Sequence, residues 1–262
     1  MVGPIRYAIV FVAAGLLLAR GAVLTAQSDA SAGWWVLAVA EGYLALSFFG
    51  LAAGYLFNHW GLPVEALAER APWSRVADVV ALPYRLFAGP AVFLLHSFDS
   101  MAPMHEVAPR LYVGRLPRRD ERARLSQAGV NSVLNVCFEF PAGARFRTDE
   151  ALEIHYVPML DGTAPSRIQF ERAIAWVVAR HTDGHTVLVH CAHGRGRSVT
   201  VAAAALCRLG FAQSAEEALA RIATARPKVC PTPKQQTALR RFLQTGRAEE
   251  SKGLVTPAAT SA

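Results

Sequence analysis

Two apolar stretches near the start of the chain limit what it can fold into. "YAIVFVAAGLLLARGAVLTA" (7–26) and "GWWVLAVAEGYLALSFFGLAAGYLF" (33–57) hold one charged residue each, Arg20 and Glu41. Each is long enough, as a helix, to cross a hydrocarbon core of about 30 Å. Backbone in lipid must satisfy its own N–H and C=O groups, so helix is the form open to such segments. A short polar linker, QSDASA, joins them, which predicts a transmembrane helical hairpin. Arg20 interrupts the first apolar run and a second span follows at once, which favours a hairpin over a cleaved signal peptide. At about 1.5 Å per residue, Arg20 and Glu41 fall roughly 9–12 Å from the same membrane face. An Arg20–Glu41 pair is therefore expected, because pairing lowers the cost of each charge in lipid.

Basic residues set the expected orientation. Arg6 precedes the first span, the linker has no Lys or Arg, and Arg70, Arg75 and Arg85 follow the second. Both ends of the hairpin should face the cytoplasm, with the remaining domain on the same side of the membrane (the inner, cytoplasmic one in a bacterium). A third apolar segment, 76–98, carries Asp78, Arg85, Pro83 and Pro90. Prolines disrupt a continuous helix, so this segment reads as a broken helix lying in the interface. The expected organisation is a hairpin over 1–60, an interfacial linker over 61–106, a catalytic domain over 107–245 and a disordered tail over 246–262.

Charge divides along the same line. Residues 1–105 carry five Arg against six Asp or Glu, and residues 106–262 carry 22 Lys or Arg against 14, so the halves are −1 and +8. The basic half suits an anionic surface or substrate, a phosphate or an acidic lipid headgroup. No nucleic-acid partner is expected.

From about residue 107 short strands and helices alternate. Strands are expected at 110–114, 130–137, 152–159 and 185–190. Helices are expected at 118–129, 166–181, 197–209, 214–225 and 233–243. On the helix 166–181, Ile168, Ile174, Val177 and Val178 are expected to face the core, with Phe170 at the margin. The alternation predicts an α/β domain, a central, largely parallel sheet flanked by helices.

Of the four cysteines none forms a C-x-x-C pair, so no zinc site is implied. Cys137 and Cys207 sit in apolar runs and read as buried hydrophobes. Cys191 differs. It ends the strand 185–190 in "VLVHCAHGRGRSVTVAAAALCRLG" (187–210), where a glycine- and arginine-rich loop leads into a helix. Ligands of such folds bind beyond the carboxyl ends of the strands. A helix N-terminus there presents unpaired N–H groups to an anion. The same field and neighbouring cations favour a thiolate. In the H-C-x5-R-S spacing, Arg197 can grip two phosphate oxygens through its planar fork. Gly194 and Gly196 let the backbone bend so that its amides converge. Ser198 can donate a hydrogen bond to the sulfur.

On these residues the chain resembles the cysteine-dependent tyrosine and dual-specificity phosphatases, over about residues 107–243. "PRLYVGRLP" and "VNSVLNVC" are similar to the opening strands of the dual-specificity branch. The resemblance implies that Cys191 attacks phosphorus, that a phosphocysteine forms and that water hydrolyses it. Arg197 would clamp the phosphate, and the amides of Ala192, His193, Gly194, Arg195, Gly196 and Arg197 would cradle it. His190 would tune the thiolate, and His193 and Arg195 would line the pocket. The family takes its general acid from an aspartate on an upstream loop. Asp161, in "VPMLDGTAPS" after a strand, is the candidate, with Asp149 and Asp183 as alternatives. "RPKVCPTPKQQTALRRF" (226–242) resembles the family's closing segment, where Gln235, in competition with Gln236, would position water.

Within the family the loop looks closest to the lipid-directed group that includes phosphatidylglycerophosphate phosphatase, and it departs at Ala192, where that group often has lysine. The resemblance implies a phosphorylated lipid or phosphoprotein substrate, and neither metal nor organic cofactor. The other readings are a membrane-tethered protein phosphatase, a catalytically silent phosphate-binding adaptor, and a sulfurtransferase, which Asp161 and the Arg-Ser ending disfavour.

Overall fold

The computed structural model describes residues 4–27, 32–60, 62, 73–141 and 152–253. The apolar stretches form two antiparallel helices, α1 (Pro4–Gln27) and α2 (Ala32–His59), followed by α3 (Trp73–Ser97). All three are long and apolar enough to cross a membrane. Their outward residues are bare hydrocarbon: Val10, Leu17, Val36, Val39, Phe87 and Leu94 are each more than half exposed. An apolar surface of that extent needs an apolar surrounding.

Two expectations about these helices are corrected. Pro83 and Pro90 do not break the third segment, which is one helix from Trp73 to Ser97. The physical reason lies on α2. A proline at 83 cannot donate to the Val79 carbonyl. Tyr43 Oη donates to Val79 O (2.5 Å), so the carbonyl freed by Pro83 is satisfied across the helix pair, and Ser47 Oγ adds a second contact to Val80 O (2.5 Å). The approach is close, and a Cβ on Gly50 would lie 2.5 Å from Val80. The expected Arg20–Glu41 pair is not formed among the described residues. Glu41 instead accepts a hydrogen bond from Thr25 Oγ1 (3.2 Å), and Arg20 is exposed.

The second half of the chain is a five-stranded mixed sheet flanked by helices. Its strands are β1 (Met104–Ala108), β2 (Leu111–Arg115), β3 (Ser132–Cys137), β4 (Glu153–Met159) and β5 (Val187–Cys191). The spatial order is β1-β2-β5-β3-β4, with β1 alone antiparallel. The sequence reading omits β1, a short edge strand with no run of β-branched residues. The flanking helices are α4 (Arg122–Gln127), α5 (Arg167–Thr182), α6 (Arg197–Arg208), α7 (Ala215–Ala225) and α8 (Pro233–Gly253).

β5 is buried along its length because both faces and both edges are covered, as its unbroken apolar run requires. Small residues, Ala202 to Ala205, let α6 pack into the core, and all four have no exposed surface. On α5 the facing differs from expectation. Phe170 is central to the core and stacks on Phe242 at 4.8 Å, whereas Ile168 is 61% exposed. A shift in the centre of the helix stripe moves the one residue inward and the other out. The expected disordered tail is likewise corrected at its start, because α8 continues to Gly253 and Gly246 is buried. Residues 254–262 lie outside the described set.

The membrane-type helices and the sheet domain share a core. Ala8, Leu51, Tyr55 and Ala81 from the helices bury together with Phe138 and Leu160, which follow β3 and β4. The start of α1, the second half of α2 and the middle of α3 therefore all meet the C-terminal edge of the sheet.

Candidate active site

Central β5 ends in Cys191, flanked by β2 and β3 in parallel register. The residue is 3% exposed, and its sulfur receives two hydrogen bonds, from the Gly194 N–H (3.2 Å) and from Ser198 Oγ (3.3 Å). Both place positive hydrogen on the atom that would carry charge as thiolate. The loop 192–196 then curls back and Gly196 caps α6. Gly194 is indispensable to that curl. Its φ is +68°, and a Cβ would lie 2.5 Å from the Gly114 carbonyl carbon and oxygen.

The guanidinium of Arg197 is buried beneath the loop. Nη1 and Nη2 bond Glu139 at 2.8 and 2.5 Å, Nη1 also donates to the Met159 carbonyl (2.8 Å), and Nη2 lies 3.0 Å from Asp161. Burial alone would lower its pKa, but the Glu139 and Asp161 carboxylates outweigh this and hold it well above the ordinary value. Nε is buried with no partner among the described residues. A buried, unsatisfied charged donor beside a thiol is a place for an oxyanion.

A pocket of about 350 Å³ opens over these groups. Cys191, His193, Arg195, Gly196 and Arg197 form its floor, and Asp161, Thr232 and Gln235 form one side. Of the expected site residues, Cys191, Arg197, Asp161, His193, Arg195, Gly196 and Gln235 thus converge. The Ala192 side chain is buried away from the pocket, so what Ala192 can offer is its N–H; its carbonyl accepts from Leu116 N (3.1 Å). His190 is fully buried one residue before the sulfur. Burial, with a smaller push from Arg197, lowers its pKa to about 4, so it is neutral. Gln235 donates to the Thr163 carbonyl (2.8 Å), behind Asp161, and accepts from Thr232 N (2.9 Å). Gln236 bonds Pro231 O instead. Of the alternative acids, Asp183 ends α5, away from the pocket, and Asp149 lies outside the described residues. Cys137 is buried, and burial raises its thiol pKa well above the ordinary value; Cys207 is half-buried and donates to Ser214 O.

Four contributors escape the sequence reading. Glu139 anchors Arg197; it follows β3, whose register with β5 sets it at the same sheet edge. Arg226, fully buried, donates to the Gly194 carbonyl from Nε (2.7 Å) and to that of His193 from Nη2 (3.3 Å). Burial lowers its pKa to about 10, which leaves it charged at neutral pH. The other two belong to the segment read as linker. His96 on α3 lies 3.0 Å from the Ala192 carbonyl, and Asp99 pairs with Arg195 at 2.9 Å. The pocket wall also includes Arg6 and Tyr7 of α1 and Leu95 of α3. Long-range placement of this kind has no signature in sequence spacing.

Residues 105–253, more than half of the chain, match the family described as PTP-SAK, Swiss Army Knife protein, DSP-PTPase phosphatase domain. The chain belongs to this family. It is 39% identical over 99 residues to mouse dual specificity protein phosphatase 12, covering 37% of the chain and 28% of that protein. It thus spans under a third of the length of that relative. It is 31% identical over 137 residues to the Arabidopsis thaliana phosphatidylglycerophosphate phosphatase PTPMT2, covering 50% of the chain and 59% of that protein. The crystal structure of PTPMT1 aligns with a TM-score of 0.51 at 25% identity, over 57% of the chain and 99% of that structure.

Proposed function

We propose that the chain is a membrane-anchored, cysteine-dependent phosphatase that hydrolyses phosphate monoesters on a phospholipid headgroup. The observation that carries the reading is the composition of the pocket wall. Tyr7 and Leu95, from helices whose outer faces are apolar, stand over Cys191 and Arg197. Beside that wall Phe93, Leu94 and Phe98 are each more than half exposed. A ligand with an anionic head and a hydrocarbon tail meets both halves of its chemistry there. The 31% identity to a phosphatidylglycerophosphate phosphatase supports the same class.

The proposed reaction runs through the chain's own groups. The Cys191 sulfur attacks phosphorus as the P–O bond to the headgroup alcohol breaks. Asp161 gives its proton to the leaving oxygen. Arg197 and the loop N–H groups hold the equatorial phosphate oxygens. Water positioned near Gln235 then attacks the phosphocysteine, and Asp161, now a carboxylate, takes a proton from it. The S–P bond breaks, phosphate leaves, and Gly194 and Ser198 receive the charge returning to sulfur. Asp161 stands 3.0 Å from Arg197 Nη2, so a bound phosphate displaces it toward the leaving group.

In the proposed placement α1 and α2 cross the membrane, and the domain lies on the side of Arg6, the cytoplasmic side by the basic-residue rule. The first half of α3 packs on α2 at Tyr43 and Ser47, within the proposed span, and its second half is proposed to lie along the interface. Arg85 reaches the Phe138 carbonyl (3.5 Å) and His96 the Ala192 carbonyl, so this half of α3 runs beside the domain for roughly 17 Å.

The test is phosphate release by the detergent-solubilised full chain on phosphatidylglycerophosphate, on phosphoinositides and on a phosphotyrosine peptide. Lipid preference that is lost in Cys191→Ser, with retained binding of a phosphate analogue, is the expected result. Preference for the peptide would make the hairpin an address only. Equal release by Cys191→Ser would remove the mechanism.

A further inference from the structure

A second and larger cleft, about 600 Å³, opens behind the loop that carries Asp161. Asn58 and His59, the last residues of α2, form one wall, and the start of α5, the end of α6 and the first two-thirds of α8 form the others. Among the described residues, four Lys or Arg side chains, Arg167, Arg208, Lys234 and Arg241, line it with one carboxylate, Glu171. Glu171 pairs with Arg167 at 2.6 Å, which leaves Lys234 and Arg241 with no carboxylate among the described lining residues. Like charges gathered in one concavity repel, and an anion between them reverses the sign of that term. Lys234 Nζ lies 3.2 Å from His59 Nδ1, which ties the basic wall to the end of the apolar helix.

The depth of the cleft is set by α2. Where that helix leaves the hydrocarbon, the headgroups begin, and Phe57, Trp60 and Leu62 beside His59 are exposed, as residues of an interfacial belt are. The cleft floor includes the half-buried ring of Phe242, stacked on the core residue Phe170, so it offers apolar area beneath the cations. Among the described residues no cysteine lines it, and the Ser166 hydroxyl is already occupied in capping α5 by the Gln169 N–H. A site with cations, an apolar floor and no nucleophile binds without reacting.

We infer that this cleft is a second, non-catalytic site for the phosphodiester headgroup of an anionic phospholipid of the surrounding membrane. The inference rests on α2 crossing the bilayer, and it does not depend on what Cys191 hydrolyses. Its wall is continuous with the active site. Ala164 and Pro165 line the cleft and Asp161 and Gly162 line the pocket, so an occupied cleft braces the acid loop from behind.

The test uses the full chain, reconstituted in vesicles of phosphatidylcholine with a minor share of phosphatidylglycerol. The protein is then extracted into mild detergent, and retained lipids are counted by native mass spectrometry. Membrane insertion is checked separately by vesicle flotation, and folding of each variant by thermal unfolding. Phosphatidylglycerol should be retained over phosphatidylcholine. Lys234→Glu and Arg241→Glu should each weaken that retention about tenfold, the loss of one charge-assisted contact. Arg124→Glu on α4, an equal change of charge away from the cleft, should leave it as it is. Equal loss in all three variants would reduce the effect to general surface charge and overturn the site. Loss in Arg197→Met but not in Arg241→Glu would place the lipid in the active site and overturn it equally. Displacement of the lipid by inorganic phosphate alone would assign the cleft to a free anion. Phosphate release by Cys191 can fail while this count stands, so the two readings fall separately.

Discussion

Replacing Glu139 by Gln tests whether Arg197 is positioned or only present. Glu139 holds both terminal nitrogens of Arg197, at 2.8 and 2.5 Å, and the side chains are 4% and 1% exposed. Removing one partner of a buried ion pair costs about 3–5 kcal/mol. Gln retains one oxygen that can accept, and Asp161 lies 3.0 Å from the same guanidinium, so the lower figure, about 3 kcal/mol, applies. For a domain of this size that is a fall in Tm of about 6–12 °C. The same change frees the guanidinium to rotate, and Nε no longer aims at the phosphate position. Misplacing one charge-assisted clamp should lower kcat/KM about 10- to 100-fold. Differential scanning calorimetry and initial rates on a small aryl phosphate read the two effects independently. A lowered Tm with unchanged kcat/KM would make Glu139 a stabilising residue only. No change in either would refute the anchoring argument.

Three further outcomes are expected. Asp161→Asn should lower kcat about 100-fold by removing the acid, while tungstate binds several-fold more tightly because Arg197 Nη2 loses a competing carboxylate; weaker tungstate binding in a competition assay would refute the displacement step. Gly194→Ala should cost more than about 2 kcal/mol and abolish activity, since the new Cβ meets backbone at 2.5 Å with φ at +68°. Gly196→Ala should be milder, because its nearest neighbour, Gln235 Oε1 at 3.0 Å, is a side chain that can shift; equal melting temperatures for the two variants would contradict this. Acid should destabilise the domain through its buried histidines. His190 protonates near 6.5 when unfolded and near 4 when folded, so between these values the unfolded chain binds more protons and stability falls as pH falls. His190 contributes a loss of about 3 kcal/mol by pH 4, and His193, lowered chiefly by burial, acts in the same direction. A melting temperature that is flat over this range would contradict the neutral burial of His190.

Local chemistry was the part of the site that the sequence expressed best. H-C-x5-R-S is one loop and one helix start, so Cys191, Gly194, Arg197 and Ser198 were readable from their spacing. Asp161 was a candidate through the family resemblance, which a turn-rich stretch after a strand narrowed to this residue. Glu139, Arg226, His96 and Asp99 were not. Each acts through a contact made only when separate elements meet, and none stands in a spacing that chemistry demands. The hairpin and the alternation of strands and helices followed from periodicity and length. The unbroken α3 did not, because its tolerance of Pro83 depends on the hydroxyl of Tyr43 on a different helix. The inward turn of Phe170 likewise depends on Phe242, more than seventy residues away.

Tyr7 and Leu95 are at once parts of the apolar helices and parts of the pocket wall. The interval between the apolar helices and the sulfur is therefore a fixed length, set by packed side chains and not by a slack tether. In the proposed setting a rigid length works as a gauge. An ester whose phosphorus sits too close to the glycerol backbone would stop short of Cys191, and one on a long headgroup would overshoot. Choice among chemically similar esters would then be made by height above the bilayer, and a thinner or thicker membrane would change which of them fits.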